Sequence, residues 1–176
     1  NSNKINFSII RLPGVVGKNS VRNWITNILA DVKSNKEINI YNPNHKFNNI
    51  IHVNDLCKFI NILIKLDVLK NDILCISTTQ RLSIKNIILN LVFLTNSKSK
   101  INIKKKKIKS FYIRNSKILK NYNFKPMTTK ETLLRFVNDN INYAMNSHLN
   151  RWREAHDEGG VPEDDGGLQL GGVRHD

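Results

Sequence analysis

The sequence predicts an α/β fold in which short strands alternate with helices and pair mostly in parallel. Two patterns carry this prediction. Short apolar runs end at turn-forming residues, as buried strands do, and between them apolar residues recur with the 3.6-residue period of an amphipathic helix. The chain has 176 residues, of which 40% are hydrophobic, so it is long enough to bury a core.

Strands are predicted wherever a short apolar or alternating run meets a turn signal. The first run, residues 7–12, stops at a Pro-Gly pair, which favours a buried strand entering a tight turn. Residues 37–41 alternate in polarity, whereas 50–53 and 73–77 are continuous apolar runs. Residues 111–113 are predicted as a short strand or an extended segment.

Helices are predicted from an N-capping residue followed by an apolar stripe. Ser20 is the predicted N-cap of the first helix, Asn54 of the second, which runs to about residue 66, and Ser83 of the third. The stripe of the first helix consists of Val21, Trp24, Ile25, Ile28, Leu29 and Val32. The last helix opens with Thr128 and Glu131, which have the spacing of a capping box.

The composition changes abruptly near residue 147. Residues 1–147 carry a net charge of +18, whereas 148–176 carry −4 and hold six of the eight glycines. We therefore predict one folded domain at 1–147 and a low-complexity, acidic, glycine-rich tail at 148–176 that is disordered. A frame-shifted or chimeric origin of the tail is the favoured interpretation. An acidic tail that folds back on the basic domain is the alternative.

Several classes of protein are excluded by simple features of the sequence. Its apolar runs are far shorter than the roughly 20 residues that a bilayer requires, so no membrane partner is expected. Cys57 and Cys75 lie in apolar runs without the spacing of metal ligands. They are predicted to be small buried side chains in a reducing compartment, which favours a cytoplasmic protein.

The residues alone do not supply a complete catalytic site. Gly14 and Gly17 are the only glycines before the tail, and their spacing does not make the glycine-rich turn of a dinucleotide-binding fold. No tyrosine is followed four residues later by lysine, so a Tyr–Lys proton-transfer pair is missing. Nucleophile elbows, phosphate-binding loops and paired carboxylates are missing as well.

The order of the segments nevertheless resembles one enzyme family. The segments are RLPGVVGKNSVRNW at 11–24, INIYNPNHKFNNIIHVNDL at 38–56 and FKPMTTKETLLRFV at 124–137. Together they resemble the C-terminal half of extended short-chain dehydrogenases/reductases, the NAD-dependent epimerases and dehydratases that act on nucleotide sugars. The resemblance covers roughly residues 5–145 and implies a partial Rossmann-like fold that carries the substrate-binding part.

The resemblance implies a role for the turn that follows the first strand. Pro13 and Gly14 would lie nearest the nicotinamide of a bound NAD or NADP. The glycine-rich cofactor loop and the catalytic Tyr–Lys pair would both lie upstream of residue 1, so this chain alone would show no turnover. For the complete protein the resemblance implies a homodimer and a role in polysaccharide or other glycan synthesis. Epimerase (isomerase), dehydratase (lyase) and reductase activities all stay open, as does the identity of the sugar.

The resemblance also implies where a nucleotide-diphosphate sugar would bind. Arg22 and Asn23 would meet the diphosphate at the start of the first helix, where free backbone amides favour an anion. Tyr41 would lie beside the nucleotide base. The family has Arg-Asp where this chain has Asn48 and Asn49, so the family's arginine contact to the substrate phosphate is missing. Lys46 would partly replace it, and Asn48 is the other substrate-binding candidate in this segment.

A second function stays open: a non-enzymatic basic module that binds anions or nucleic acid. Lysines at 104–107 and 109 precede Phe111 and Tyr112, and such a mixture of charge and aromatic rings can hold phosphates and stack bases. However, lysine is dispersed along the whole domain, as AT-biased coding would produce, and no nucleic-acid-binding motif accompanies it. Nucleic acid is therefore not the expected partner.

Overall fold

The computed structural model describes residues 6–66, 71–105, 109 and 111–141. Strands and helices alternate through these residues, and their order confirms the predicted α/β class. The strands are β1 (Ser8–Arg11), β2 (Gly14–Val16), β3 (Ile38–Ile40), β4 (Lys46–Phe47), β5 (Ile50–His52), β6 (Asp72–Cys75), β7 (Leu82–Ser83) and β8 (Ile101–Ile103). The helices are α1 (Trp24–Lys33), α2 (Val53–Ile64), α3 (Ile84–Leu94), α4 (Ser116–Asn121) and α5 (residues 129–141).

The strands pair two by two, and most pairs are parallel. β1 pairs with β6, β2 with β5 and β3 with β8, all in parallel, whereas β4 and β7 are antiparallel. Parallel neighbours need a crossover connection, usually a helix, and α1 and α2 lie on the connections that join β2 to β5 and β1 to β6. Among the described residues no helix has the length and apolar character needed to cross a membrane.

The β2–β5 pair separates two apolar clusters. Ile50 and Val16 belong to the first, which we call the α1–α3 cluster because it also contains buried residues of α1, α3 and α5. The next residue, Ile51, belongs to the second, the α2–α4 cluster, together with Phe59 of α2 and Ile118 of α4. Successive side chains of a strand point to opposite faces, so the short strand β5 contributes to both clusters.

Buried polar groups form a hydrogen-bonded seam beside the clusters. Asn48 Nδ2 donates to Ser77 Oγ at 3.0 Å, to the Thr78 carbonyl at 3.2 Å and to the Ile113 carbonyl at 2.8 Å. Its Oδ1 accepts from the Ile113 amide at 2.9 Å. The hydroxyls of Thr78 and Thr129 bond each other at 2.8 Å. Buried polar groups must be paired, and this seam fixes the segment around Ile113 to the strands.

Two of the predicted helix starts are wrong. The first helix begins at Trp24 with Asn23 as its N-cap, whose side chain accepts from the Thr26 amide at 2.9 Å. Ser20 instead lies in a turn and donates its amide to Gly17. The second helix has His52 as its N-cap, not Asn54. The third prediction is confirmed, because Ser83 Oγ accepts from the Asn86 amide at 3.2 Å.

The last predicted start is also confirmed. The Thr128 amide donates to Glu131 Oε2 at 2.8 Å, and the Glu131 amide donates to Thr128 Oγ1 at 3.1 Å. These reciprocal bonds are the predicted capping box. Residues 111–113 belong to no strand or helix, so the short strand that was one of the two predictions for them is absent. The predicted tail at 148–176 lies outside the described residues.

Candidate functional site

Two adjoining cavities lie at the start of α1. The aromatic cavity, of about 340 Å³, includes Tyr41, His45, Ile84 and Lys109 in its lining. The glycine-turn cavity, of about 390 Å³, includes Pro13, Gly14, Asn23 and Ile113. Both are lined by Trp24, Phe47, Asn49 and Phe111. They therefore form one cleft with two compartments, and each compartment has the volume typical of a small-molecule site.

Aromatic rings form the wall that the compartments share. The rings of Trp24 and Phe47 lie 5.1 Å apart between centroids and are tilted by 57°, a favourable geometry for aromatic pairs. Trp24 is the first residue of α1 and Phe47 belongs to β4. The sequence predicted Trp24 as part of the core stripe, but the structure leaves it half-exposed at the cleft.

The turn at Gly14 brings two segments close together. The Gly14 amide donates to the Asn49 carbonyl at 3.2 Å. A Cβ at Gly14 would lie 3.4 Å from that carbonyl oxygen and 3.7 Å from Asn23 Cβ. A Cβ at Gly14 would thus be in ordinary van der Waals contact with both segments, which shows how closely the turn approaches Asn49 and the N-terminus of α1.

Asn49 carries a hydrogen-bond acceptor that nothing in the described structure uses. Its Nδ2 donates to the Phe111 carbonyl at 3.0 Å, whereas its buried Oδ1 has no partner among the described residues. A buried acceptor without a partner costs roughly 1–3 kcal/mol. Because Asn49 lines both compartments, a ligand with an O–H or N–H group in the cleft could satisfy this oxygen.

The structure brings some of the predicted site residues together and separates others. Pro13, Gly14 and Asn23 line the glycine-turn cavity, and Tyr41 lines the aromatic cavity. Arg22 is exposed, with a left-handed backbone φ of 61°. Neither Arg22 nor Lys46, also exposed, is among the described residues that line the cleft. Asn48 is buried in the polar seam.

The cleft also contains residues that the sequence analysis did not assign to a site. Asn49, Phe47 and Phe111 lie in it, and so does Lys109 from the lysine run. Of that run, Lys104 and Lys105 are exposed, and Lys106 and Lys107 lie outside the described residues. The sequence signal for Asn49 was the Asn-Asn pair that replaces the family's Arg-Asp, and the signal for Lys109 and Phe111 was the mixture of lysines and aromatic rings that the alternative anion-binding function used.

His52 has a structural role at the other end of β5. Its Nδ1 accepts from the Asn54 amide at 3.2 Å, which means that this nitrogen carries a lone pair. The proton of the neutral ring is therefore on Nε2, which donates to Asp139 Oδ2 at 2.9 Å. This buried contact joins β5 to α5, as expected for a hydrogen-bonded structural histidine.

Metal chemistry has no evident site in the part of the chain that the structure describes. There, no group of three or more His, Cys, Asp or Glu side chains is placed to hold a metal ion.

Comparisons with known proteins identify the fold. No family model matches the sequence, and no curated protein matches it. Among solved structures, an epimerase from Methanothermobacter thermautotrophicus is similar, with a TM-score of 0.65 and 14% identity over 81% of this chain and 44% of that one. UDP-glucose 4-epimerase from Thermotoga maritima, solved with UDP-glucose, has a TM-score of 0.63 and 13% identity over 76% of this chain and 45% of that one.

A third similar structure contains both a nucleotide sugar and a dinucleotide. It is UDP-glucuronic acid 4-epimerase from Bacillus cereus in complex with UDP-glucuronic acid and NAD, with a TM-score of 0.62 and 15% identity over 76% of this chain and 45% of that one. The chain thus spans less than half the length of these neighbours. It has the α/β fold of the corresponding part of NAD-dependent epimerases, as its segments predicted.

Proposed function

We propose that this chain is the substrate-binding part of an NAD(P)-dependent nucleotide-sugar epimerase or dehydratase. The observation that carries the proposal is the two-compartment cleft at the N-terminus of α1, in a chain whose fold matches that of nucleotide-sugar epimerases. In this proposal a nucleotide-diphosphate sugar spans the cleft. The base occupies the aromatic cavity, and the sugar extends through the glycine-turn cavity toward the cofactor.

The chemistry of the aromatic cavity suits a nucleotide base. Trp24, Tyr41 and Phe111 supply ring faces, and Ile84 supplies an apolar floor. A base presents flat faces and a polar edge, so it gains from stacking on aromatic rings and from a hydrogen-bond acceptor at its edge. The unpartnered Oδ1 of Asn49 is such an acceptor.

Positive charge lies where the diphosphate would pass. The first turn of α1 contains no acidic residue, so nothing offsets the positive end of its macrodipole. Asn23 Oδ1 already accepts from the Thr26 amide, and we therefore assign the anion contact to the other amides of that turn. Lys109 adds a cation at the aromatic cavity. Arg22 and Lys46 would contribute only by long-range attraction.

The cofactor would meet this chain at the turn between β1 and β2. The chemistry that a bound NAD(P) would supply is reversible hydride transfer with the sugar. The residues present fit one edge of such a group, because Pro13 and Gly14 line the glycine-turn cavity and Gly14 adds no side chain there. Pro13 and Gly14 would position the nicotinamide side of the site. We assign the glycine-rich cofactor loop and the Tyr–Lys pair to an upstream part of the complete protein.

A ligand titration tests the proposal on the chain as it is. UDP-glucose, the ligand of one structural neighbour, is titrated into labelled protein and followed by amide chemical shifts. We expect shifts at Asn49 and along the first turn of α1. Trp24→Leu should weaken binding about tenfold, since stacking of a base on an aromatic ring is worth roughly 1–3 kcal/mol.

A matched control is available on α3. Phe93 is 82% exposed and does not line the cleft, so Phe93→Leu should leave UDP-glucose affinity unchanged. Equal affinity of the wild type and the Trp24→Leu variant would refute the assignment of the aromatic cavity. Conversion of UDP-glucose by this chain with added NAD would refute the separate claim that the catalytic pair lies elsewhere.

A further inference from the structure

The extended segment at 111–115 separates the cleft from a third cavity. Phe111 faces the cleft, whereas Tyr112 and Arg114 line a cavity of about 470 Å³ on the other side. The loop after β6 supplies the opposite wall with Gln80 and Arg81. We call this space the arginine cavity. It is separate from the two-compartment cleft, although Ile113 lines both this cavity and the glycine-turn cavity, and Asn48, a predicted substrate contact, lines it too.

Two guanidinium groups converge on one phenol in the arginine cavity. Arg81 Cζ lies 4.0 Å from the centroid of the Tyr112 ring. A guanidinium stacked on a ring keeps its N–H donors free at its edge. The Arg114 guanidinium, and to a lesser degree that of Arg81, lowers the pKa of the Tyr112 hydroxyl below its usual 10.0. Arg81 thus lies over the Tyr112 ring, and both arginines line the same cavity as that ring.

Neither arginine has an acidic partner in the described structure. The ion pairs found there are Lys36–Asp31, Lys58–Asp55 and Lys117–Asp72. Arg81 and Arg114 are in none of them. Two like charges that share a cavity repel each other, and an anion placed between them would turn that repulsion into two charge-assisted contacts.

The backbone on both sides of the arginine cavity is held in place. Before Arg81, the Thr79 amide donates to the Met127 carbonyl at 3.0 Å and Thr79 Oγ1 to the Pro126 carbonyl at 3.2 Å. Around Arg114, the Ile113 amide is held by Asn48, and Asn115 Nδ2 donates to the Ser77 carbonyl at 3.0 Å. Fixing both backbones reduces the entropy that a ligand must overcome to order them.

We propose that the arginine cavity binds the phosphate group of a small phosphorylated molecule between Arg81 and Arg114. A tetrahedral phosphate offers three acceptor oxygens and can use two separate guanidinium forks together with the Tyr112 hydroxyl. A carboxylate matches a single fork and would leave the second arginine without a partner. Gln80 and Ser116 line the same cavity and can contact the remainder of such a molecule.

The test is a calorimetric titration of the full chain with ribose 5-phosphate and, separately, with inorganic phosphate. We expect Arg81→Gln and Arg114→Gln each to weaken binding of both probes about tenfold, because each removes a charge-assisted contact. Tyr112→Phe keeps the ring and removes one hydroxyl, so a loss of about threefold is expected. Tighter binding of ribose 5-phosphate would identify a phosphate ester as the ligand, and equal binding would identify free phosphate.

The control removes the same charge from another surface. Arg135 is exposed on α5 and does not line the arginine cavity, so Arg135→Gln should bind both probes like the wild type. An equal loss in Arg135→Gln would mean that the net positive charge attracts anions generally, which overturns the proposal. Unchanged affinity in both cavity variants would overturn it as well. Trp24→Leu should keep phosphate binding, which separates this site from the nucleotide-sugar cleft.

Discussion

The two apolar clusters on either side of the β2–β5 pair differ in how they are covered. The α1–α3 cluster draws buried residues from three helices. The α2–α4 cluster rests on the β1–β6 pair, whose inner face contributes Leu74 and the partly buried Ile10. On the outer face, the register partners Ile9 and Ile73 are 48% and 49% exposed.

Parallel sheets are normally covered on both faces. The described residues cover only one face of the β1–β6 pair, and the other presents aliphatic side chains to solvent. The comparison therefore identifies the outer face of the β1–β6 pair as an uncovered aliphatic surface. It also predicts that the half of the domain around the α2–α4 cluster is less tightly packed than the half around the α1–α3 cluster.

The largest expected effect comes from a matched pair of core truncations. Phe136 lies in the α1–α3 cluster and Phe59 in the α2–α4 cluster, and both are fully buried. Phe136→Ala and Phe59→Ala should each lower the free energy of unfolding by about 3–5 kcal/mol. Phe59→Ala should lie nearer the lower value because a cluster with an open side can relax around the lost ring. Urea denaturation measures both changes.

Phe93 again supplies the control, since Phe93→Ala should change the free energy of unfolding by less than about 0.5 kcal/mol. If Phe59→Ala lowers the free energy of unfolding more than Phe136→Ala does, the α2–α4 cluster is not the less tightly packed of the two.

The second effect tests the polar seam beside the clusters. Asn48→Ala removes four hydrogen bonds and leaves the amide and carbonyl of Ile113 without partners among the described residues, whereas the Thr78 carbonyl still accepts from Ser77 Oγ. We expect a loss of about 2–3 kcal/mol in the free energy of unfolding, together with faster hydrogen exchange at the Ile113 amide. The neighbouring Asn49→Ala breaks one bond and removes an unpartnered acceptor. Asn49→Ala should lower the free energy of unfolding by less than about 1 kcal/mol. Similar losses in the two variants would contradict the claim that the hydrogen bonds of Asn48 stabilise the fold.

The third effect concerns the uncovered face of the β1–β6 pair. We expect this face to drive self-association of the chain. Replacing Ile9 and Ile73 by lysine should weaken that association roughly thirtyfold, because burial of the two half-exposed side chains would contribute about 2 kcal/mol. Sedimentation at several protein concentrations measures the change. Phe93→Lys alters a more exposed residue elsewhere and should have little influence. If Phe93→Lys weakens self-association as much as the double substitution does, the outer face of the β1–β6 pair is not the site of association.

The smallest effect is expected at the N-terminus of α5, in the α1–α3 half. Hydrogen bonds from the Thr128 amide and then its hydroxyl lower the pKa of Glu131 below its ordinary value of 4.5. A carboxyl whose pKa is lower in the folded state stabilises the fold above its unfolded pKa, and that stabilisation disappears as the pH falls through the folded pKa. The advantage of wild type over Glu131→Gln should thus shrink below pH 4.5.

Thermal denaturation between neutral and acid pH measures this difference. Thr128→Ala should cost about 1 kcal/mol at neutral pH and should remove most of the pH dependence that Glu131 contributes. An advantage of wild type that grows toward acid pH would contradict the assignment.

The apolar patterns of the sequence predicted most of the helices and strands. They did not predict where α1 and α2 begin, because capping side chains outside the apolar stripes determine those positions. Val21 fits the apolar stripe of α1, yet Arg22 takes a left-handed conformation that no helix continues, and Asn23 with Thr26 forms the cap. At α2, the capping acceptor is a histidine ring nitrogen, which capping preferences do not include. The strand β8 was missed because lysines directly follow Ile101–Ile103 and polar residues precede it.

The same distinction applies to the candidate site. Pro13, Gly14 and Asn23 lie in a contiguous segment, and a motif could place them together. Lys109 and Phe111 reach the cleft from some 60 residues beyond Asn49, through the contact between Asn49 Nδ2 and the Phe111 carbonyl. No local pattern encodes a pairing of that kind, because it depends on how the whole chain closes.

Left-handed backbone positions link the fold to the composition of the chain. Among the described residues, eight non-glycine positions have positive φ, and no glycine does. Six are asparagines, namely Asn19, Asn35, Asn42, Asn71, Asn96 and Asn123. Asparagine tolerates this conformation because its short polar side chain can hydrogen-bond locally. A lineage under pressure to lose glycine codons can therefore exchange its turn residues for asparagine while the path of the backbone is inherited unchanged.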